Sequence, residues 1–440
     1  MIIKAARTRT LAALAGFALI LLSPAHAGAE PVTAYPVKRG DTLYGLASEF
    51  LVSPQSHREV ARLNRVTEAR RLPPGRVLQI PDRLLRTEPV IARLAAFRGP
   101  VTVIQGGAEV AAVADMPIGQ GARILTGEAA FATLELPDGS RVSLPSRSRV
   151  RVEELRRVLL TGQVRRRFAL EAGRSAITVS PERPTDGFSI TTPLTVSAVR
   201  GTVFRVSHDE ATDRSTLEVI EGVVANAAAS GDGEASVSEG FGRLTQPAGP
   251  GQLLPLLPAP QFVGAGRAQD EPDLTFTLRP MAEAAAYRIQ IGADAGFIDV
   301  LTEATAPEPV VSLDGAAIPN GALFARATAI DGAGLEGLPA VVAFQRRLNS
   351  LDLGPPDAGG DRFLFRWADA GEGVARFRFQ LARDADMTDL LVDEPGLEDR
   401  RIAVTNLPPG AYYWRVRVTR FEGGEAFEKW SKVERFQLGE

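Results

Sequence analysis

The chain has 440 residues, a formal net charge of −3 and no cysteine. Without cysteine it forms no disulfide, carries no thiol nucleophile and offers no thiolate metal site. So mild an acidity gives no global attraction to nucleic acid, and the length suggests about three domains.

Residues 1–27 have three parts. Lys4, Arg7 and Arg9 make a positive start, Leu11 to Leu22 is an apolar run of 12 residues, and Ala25-His26-Ala27 ends it with small residues. This pattern predicts a signal peptide cleaved after Ala27, and hence export. The run falls short of the roughly 20 residues that cross a bilayer. No cysteine stands at the cleavage site, which excludes a lipoprotein. Cleavage removes only positive charge, leaving 47 basic against 53 acidic residues and a net charge of −6. No later apolar run is long enough to span a membrane. An exported chain without disulfides depends on packed cores, so the expected fold is multidomain and mainly β.

Residues 33–82 read as a small βααβ module. Val37 starts an extended piece and Gly40-Asp41 turns it. Asp41 or Thr42 caps a helix whose apolar face carries Leu43, Leu46, Ala47 and Phe50. Pro54 interrupts, and a second helix is expected from Ser56 to Asn64 with Val60 and Leu63 turned inward. Pro73-Pro74-Gly75 turns the chain into the strand Val77-Leu-Gln-Ile80, and Pro81 ends it. Gly40-Asp-Thr-Leu43, Asn64, Leu72-Pro-Pro-Gly75 and Leu78-Gln-Ile-Pro81 together resemble the LysM module, a carbohydrate-binding fold of bacterial envelope proteins. The resemblance implies a groove for N-acetylglucosamine-containing glycan between two loops. Those loops carry over onto Gly40, Asp41, Thr42 and Leu43, and onto Arg71, Leu72, Pro73, Pro74 and Gly75. A single module is expected to bind weakly.

From Val101 to about Val224, within a domain expected over residues 98–245, the pattern alternates with period two, as in Thr133-Leu-Glu-Leu136, Arg141-Val-Ser-Leu144 and Leu217-Glu-Val-Ile220, with a tight turn at Pro137-Asp-Gly-Ser140. An all-β sandwich or short coil of strands follows. Gly127 with Phe131-Ala-Thr-Leu-Glu-Leu-Pro-Asp-Gly-Ser140, Phe188-Ser-Ile-Thr-Thr-Pro193, Val199-Arg-Gly-Thr-Val-Phe204 and Val219-Ile-Glu-Gly222 resemble the FecR domain. FecR proteins are best known as signal transducers in iron uptake, with a cytoplasmic segment that binds a sigma factor and a membrane helix after it. Neither is expected here, so the resemblance implies the sensing domain without direct sigma-factor regulation. Arg200-Gly201-Thr202 is read as a bend at Gly201 with Arg200 paired to a carboxylate. Arg147, Arg149, Arg151, Arg156, Arg157, Arg165, Arg166 and Arg167 are read as the wet face of strands, because Arg147, Arg149 and Arg151 alternate with Ser148, Val150 and Val152 and no aromatic platform interleaves them.

Ala225 to Gly240, rich in Ala, Gly and Ser, is expected to be a mobile loop. Residues 246–262 hold five prolines between Pro247 and Pro260 and are expected to be an extended linker. An internal repeat follows: Tyr287-Arg-Ile-Gln-Ile-Gly-Ala-Asp294 matches Phe377-Arg-Phe-Gln-Leu-Ala-Arg-Asp384, and Gly321-Ala-Leu-Phe-Ala-Arg326 matches Gly410-Ala-Tyr-Tyr-Trp-Arg415. Two tandem β-sandwiches, 263–347 and 348–440, are expected. Tyr412-Tyr-Trp-Arg-Val-Arg-Val418 and Phe363-Leu-Phe-Arg-Trp367 resemble fibronectin type III and Ig-like sandwiches, with Trp367 and Trp414 in the core.

No catalytic constellation stands out. Gly332-Ala-Gly-Leu-Glu-Gly337 fits the spacing of a phosphate loop, but an alternating stretch rather than a helix follows it, so it is read as a hairpin loop. After cleavage only His57 and His208 remain, far apart and without metal-ligand spacing. No nucleophile elbow appears. The expectation is a non-enzymatic protein of the cell envelope, exported to the periplasm and associated with the wall. Its partner is peptidoglycan, with an envelope protein as a second candidate. No cofactor, metal, nucleic acid or transmembrane segment is expected. An accessory role in envelope signalling or uptake regulation is the alternative, and a wall hydrolase using an unmarked carboxylate pair is the third.

Overall fold

The computed structural model describes residues 31–181, 187–231, 233–247, 249, 251–264, 266 and 268–439. The expected signal peptide lies outside them. Among the described residues no helix is long and apolar enough to cross a membrane. The chain is mostly β, with helix confined to a short N-terminal region. It divides into two compact units, the first ending at Leu85 and the second holding nearly all residues from Arg86 on.

In the first unit β1 (Val32–Pro36) pairs antiparallel with β2 (Val77–Pro81), from Val32 opposite Pro81 to Pro36 opposite Val77. Between them lie α1 (Leu43–Phe50), a 3₁₀ turn at Pro54–Ser56 and α2 (His57–Leu63). Leu43, Leu46, Ala47, Val60, Leu78 and Ile80 form the core. Two details differ from the expectation. Leu63 is exposed rather than inward, because it is the last residue of a seven-residue helix. Phe50 is half-buried.

The second unit begins with short strands from Thr87–Pro89 to Gln252–Pro255 whose pairings close on themselves as a barrel. Val164–Thr178 is its hub. It pairs with Arg141–Leu144, Arg149–Val158 and Val203–Asp209 antiparallel and with Gly187–Thr191 in parallel. Leu94, Ile124, Val150, Phe168, Phe204 and Val219 are among the side chains that fill the interior. Most of the stretch expected as a mobile loop belongs to a hairpin that starts just before it, Val223–Ala228 against Ala235–Ser238. Its Val224 and Val237 are core residues, so burial decides where composition pointed the other way. Part of the Pro-dense stretch is a strand too. Gln252–Pro255 lies beside Phe241–Thr245, where Pro255 ends an edge strand and leaves no interior ladder bond unmade.

Two sandwiches follow, each with its own core. In the first, a sheet containing Asp273–Leu278 and Val310–Asp314 faces one ordered Val300–Ala306, Ala284–Gly292, Gly321–Asp331, Ala340–Arg346. In the second, Trp367 and Trp414 pack with Phe365, Phe377 and Phe379 in the core, as the sequence predicts.

The first sandwich docks on the barrel. Phe131 of the barrel packs with Phe297 and Val300 of the sandwich. Arg98 grips Asp299 with two hydrogen bonds, at 3.0 and 2.8 Å. Glu336, in the hairpin loop that carries the Gly332–Gly337 spacing, lies 3.3 Å from Arg205 of the barrel and 2.9 Å from Arg288 of its own sandwich. The Thr328 hydroxyl donates to it at 2.6 Å. Burial works against the Glu336 charge, but Arg205, Arg288 and Arg174 hold its carboxyl well below the usual range. Arg205 also donates to the backbone carbonyls of Glu336 and Gly337. The loop is a hairpin, as expected, and it serves as the docking element.

Candidate functional site

The register of β1 and β2 brings two loops to one end of the first unit. The chain leaves β1 beside the point where it enters β2, since Pro36 faces Val77. Val37 N donates to the Arg76 carbonyl and Gly75 N to that of Val37, both at 2.8 Å. Leu43 N then donates to Ala69 O at 3.0 Å, which ties the first loop to the start of the second. Gly40–Leu43 and Arg71–Gly75 are therefore neighbours.

Each loop is built from a few decisive residues. Gly40 and Gly75 take φ of +94° and +86°, with nothing within 4 Å of an added Cβ, so backbone conformation rather than space requires glycine. Asp41 Oδ2 accepts the Tyr35 hydroxyl at 2.9 Å and Lys38 N at 2.7 Å. Burial and the neighbouring Asp41 carboxylate push the Tyr35 phenol up to about 12. Thr42 Oγ1 accepts Gly45 N at 3.0 Å as the N-cap of α1.

The nine expected glycan-binding residues thus divide by position. Gly40, Arg71, Pro73, Pro74 and Gly75 are exposed, while Asp41 and Thr42 are half-buried with their side-chain oxygens engaged in the loop itself. Leu43 and Leu72 are core side chains. They anchor the loops and present only backbone to a ligand. Sequence reasoning passed over Tyr44, the first-turn residue beside the loop. Its ring is 61% exposed and touches His57 edge-on, with centroids 5.8 Å apart. An exposed aromatic next to a turn motif was the available signal.

Residues 35–81 match the LysM domain. Residues 122–225 match the model described as FecR protein. Both are non-catalytic binding or regulatory domains. No curated protein matches the chain. Among solved structures, a protein from Parabacteroides distasonis described as an anti-sigma factor aligns at 17% identity and a TM-score of 0.25. The alignment covers 30% of this chain and 57% of that one, less than two thirds of its length. The fibronectin(III)-like modules of Clostridium thermocellum CbhA align at 13% identity, covering 40% of this chain and 90% of that one, with a TM-score of 0.17. Chicken CNTN1 FN1-FN3 domains align at 12%, covering 66% and 97%, with a TM-score of 0.19.

In the FecR-matching domain the tempting arginines are neutralised. Arg147 pairs with Glu128, Arg149 with Glu210, Arg151 with Glu153 and Arg157 with Glu88. Arg156, Arg165 and Arg167 surround the buried Glu154, and Arg166 pairs with Asp138. The cluster is ion-paired and Arg147, Arg149 and Arg151 face solvent as the alternation predicts, but Arg166 is buried rather than wet, because it turns onto Asp138 and Ser140 of the neighbouring turn. Gly201 turns at φ +61°, and an added Cβ would meet Pro181 at 2.9 Å. The pairing expected for Arg200 is not found. Its side chain is exposed, and no ion pair involves it among the described residues.

The two histidines are held locally. His57 Nδ1 lies 2.8 Å from the Pro54 carbonyl, and His208 Nδ1 lies 3.1 Å from Ser215 Oγ. Among the described residues no group of His, Asp and Glu is arranged to hold a metal ion.

Proposed function

We propose that the protein is a non-enzymatic, peptidoglycan-binding component of the cell envelope, exported and held to wall glycan by residues 33–82. The observation that carries this reading is the LysM match over residues 35–81, joined to the adjacency of the two loops that the family uses. N-acetyl groups of the glycan meet the backbone of Gly40 to Leu43 on one side and of Arg71 to Gly75 on the other. Tyr44 offers a ring face for a sugar to stack on. One such module binds weakly on its own. The remaining domains, taken as 98–245, 263–347 and 348–440, present interaction surfaces to envelope proteins. The FecR match favours a second reading, an accessory role in envelope signalling.

Cosedimentation with purified insoluble peptidoglycan tests the first reading. The protein is expected in the pellet, and a form lacking residues 35–81 in the supernatant. Full-length protein left in the supernatant sinks the proposal, and release of soluble glycan from the pellet would overturn its non-enzymatic part. Crosslinking in cells that repeatedly captures one signalling receptor would favour the second reading.

A further inference from the structure

Where the first sandwich docks on the barrel, the two enclose a recess of about 120 Å³, room for several waters or a small ion. Its charged lining is unbalanced. Arg174, Arg205, Arg288 and Arg326 face two carboxylates, Glu218 and Glu336, and a third, Glu303, lies beyond the lining and is taken up by Arg288 and Gln290. Glu336 is fully engaged by Arg205, Arg288 and Thr328. Burial pushes the Glu218 carboxyl up to about 7, against the pull of Arg205 and the Thr216 hydroxyl, which weakens it as a counter-charge.

Arg326 is the cation left over. Its Nε and Nη2 both donate to Gln290 Oε1, at 3.0 and 2.6 Å, and its guanidinium lies 4.2 Å from the centre of the Phe297 ring. No carboxylate of the described residues comes within ion-pair distance of it. Burial, with nearby Arg288 and Arg205, pulls its pKa down to about 10 against the opposing pull of Glu336 and Glu303. Arg205 Nε is buried without a hydrogen-bond partner and comes no nearer than 3.9 Å to Glu218. A desolvated cation without a counter-charge is costly.

The internal repeat isolates what is special here. In the second sandwich Arg415 donates to Gln380 Oε1 at 2.9 Å and lies 4.1 Å from the Trp430 ring. The arginine on an amide and a ring therefore belongs to the sandwich. Only in the first sandwich does a barrel add two more arginines around it. We propose that this recess binds a small carboxylate, gripped between the guanidinium groups of Arg326 and Arg205. A wider cleft of about 1110 Å³ adjoins it and shares Arg174, Ser207, Arg288 and Gly334 in its lining.

Calorimetric titration of the purified protein with sodium acetate, against sodium chloride at equal ionic strength, tests this. Saturable acetate binding is expected, at least tenfold weaker in Arg326→Gln and unchanged in the repeat-matched control Arg415→Gln. Acetate that binds no better than chloride, or equally well to Arg326→Gln, overturns the proposal. If Arg326→Gln does not fold, Arg174→Gln replaces it, since that side chain is 48% exposed at the rim. Acetate binding weakened threefold or more there supports the site, and unchanged binding overturns it.

Discussion

Asn64 engages its whole side-chain amide within its own module. Nδ2 donates to the Val60 and Gln79 carbonyls at 2.9 and 2.7 Å, and Oδ1 accepts Gln79 N at 2.7 Å. It thereby ties the end of α2 to β2. Asn64→Ala leaves both backbone groups of Gln79 without these partners and should destabilise the first unit by about 2 kcal/mol. Hydrogen exchange would report this as roughly 30-fold faster exchange of the amides of residues 77–80 through unfolding, and unchanged protection there would contradict it. Arg346 does similar work in the first sandwich. It is fully buried and donates to the carbonyls of Gln269, Glu271, Pro272 and Gly315. Arg346→Met should cost about 3 kcal/mol in denaturant unfolding. Arg346→Lys should recover little of it, because an ammonium cannot reach four spread acceptors. Asn64 was visible in the sequence through the turn motifs around it. Arg346 was not, because its acceptors come from segments whose meeting is set by tertiary packing.

At the scale of elements, the sequence was legible wherever alternation or a helix face was strong. The strands at Thr133, Arg141 and Leu217 and the βααβ order of the first unit are examples. It was less legible where composition masked a partner. Ala225–Gly240 looks like a loop because its large apolar residues are few, yet Val237 within it pairs with buried Val224 across the hairpin. The Val203–Asp209 and Arg214–Glu221 strands hide another case, since Glu218 alternates as a wet residue would and is instead covered by the first sandwich. Its pKa, raised from the ordinary 4.5 to about 7, belongs to the folded state. A raised carboxyl contributes stability that is present below pH 4.5 and lost as pH rises through 7. The barrel–sandwich pair should therefore lose roughly 3 kcal/mol between pH 4.5 and 8. Glu218→Gln should flatten that slope in unfolding curves taken across the range. A mutant with the same pH dependence as the parent would show that Glu218 is not its source.

On the scale of the molecule, the LysM and FecR matches leave most of the chain to be understood from its contacts, and the densest of these in charge is the Glu336 hub. Its depressed pKa works in the opposite direction to that of Glu218: the stability it gives is present above pH 4.5 and lost as pH falls through its folded value. Together the two glutamates place the interface's greatest stability near pH 4.5, where neither contribution has yet been lost. Arg205, Arg288 and the Thr328 hydroxyl all converge on one carboxylate, so its removal leaves Arg288 with Glu303 alone and Arg205 with only the more distant Glu218 across the joint. Removing one partner of such a buried pair costs about 3–5 kcal/mol, a large part of the roughly 5–9 kcal/mol that packing Phe131, Phe297 and Val300 contributes. Scanning calorimetry of the parent should accordingly show barrel and first sandwich unfolding in one transition. In Glu336→Ala that transition should split, with the sandwich melting first and protease cutting between residues 256 and 272, where the chain passes from one to the other. A single, unshifted transition in Glu336→Ala would mean that apolar packing, not the charge hub, joins the two.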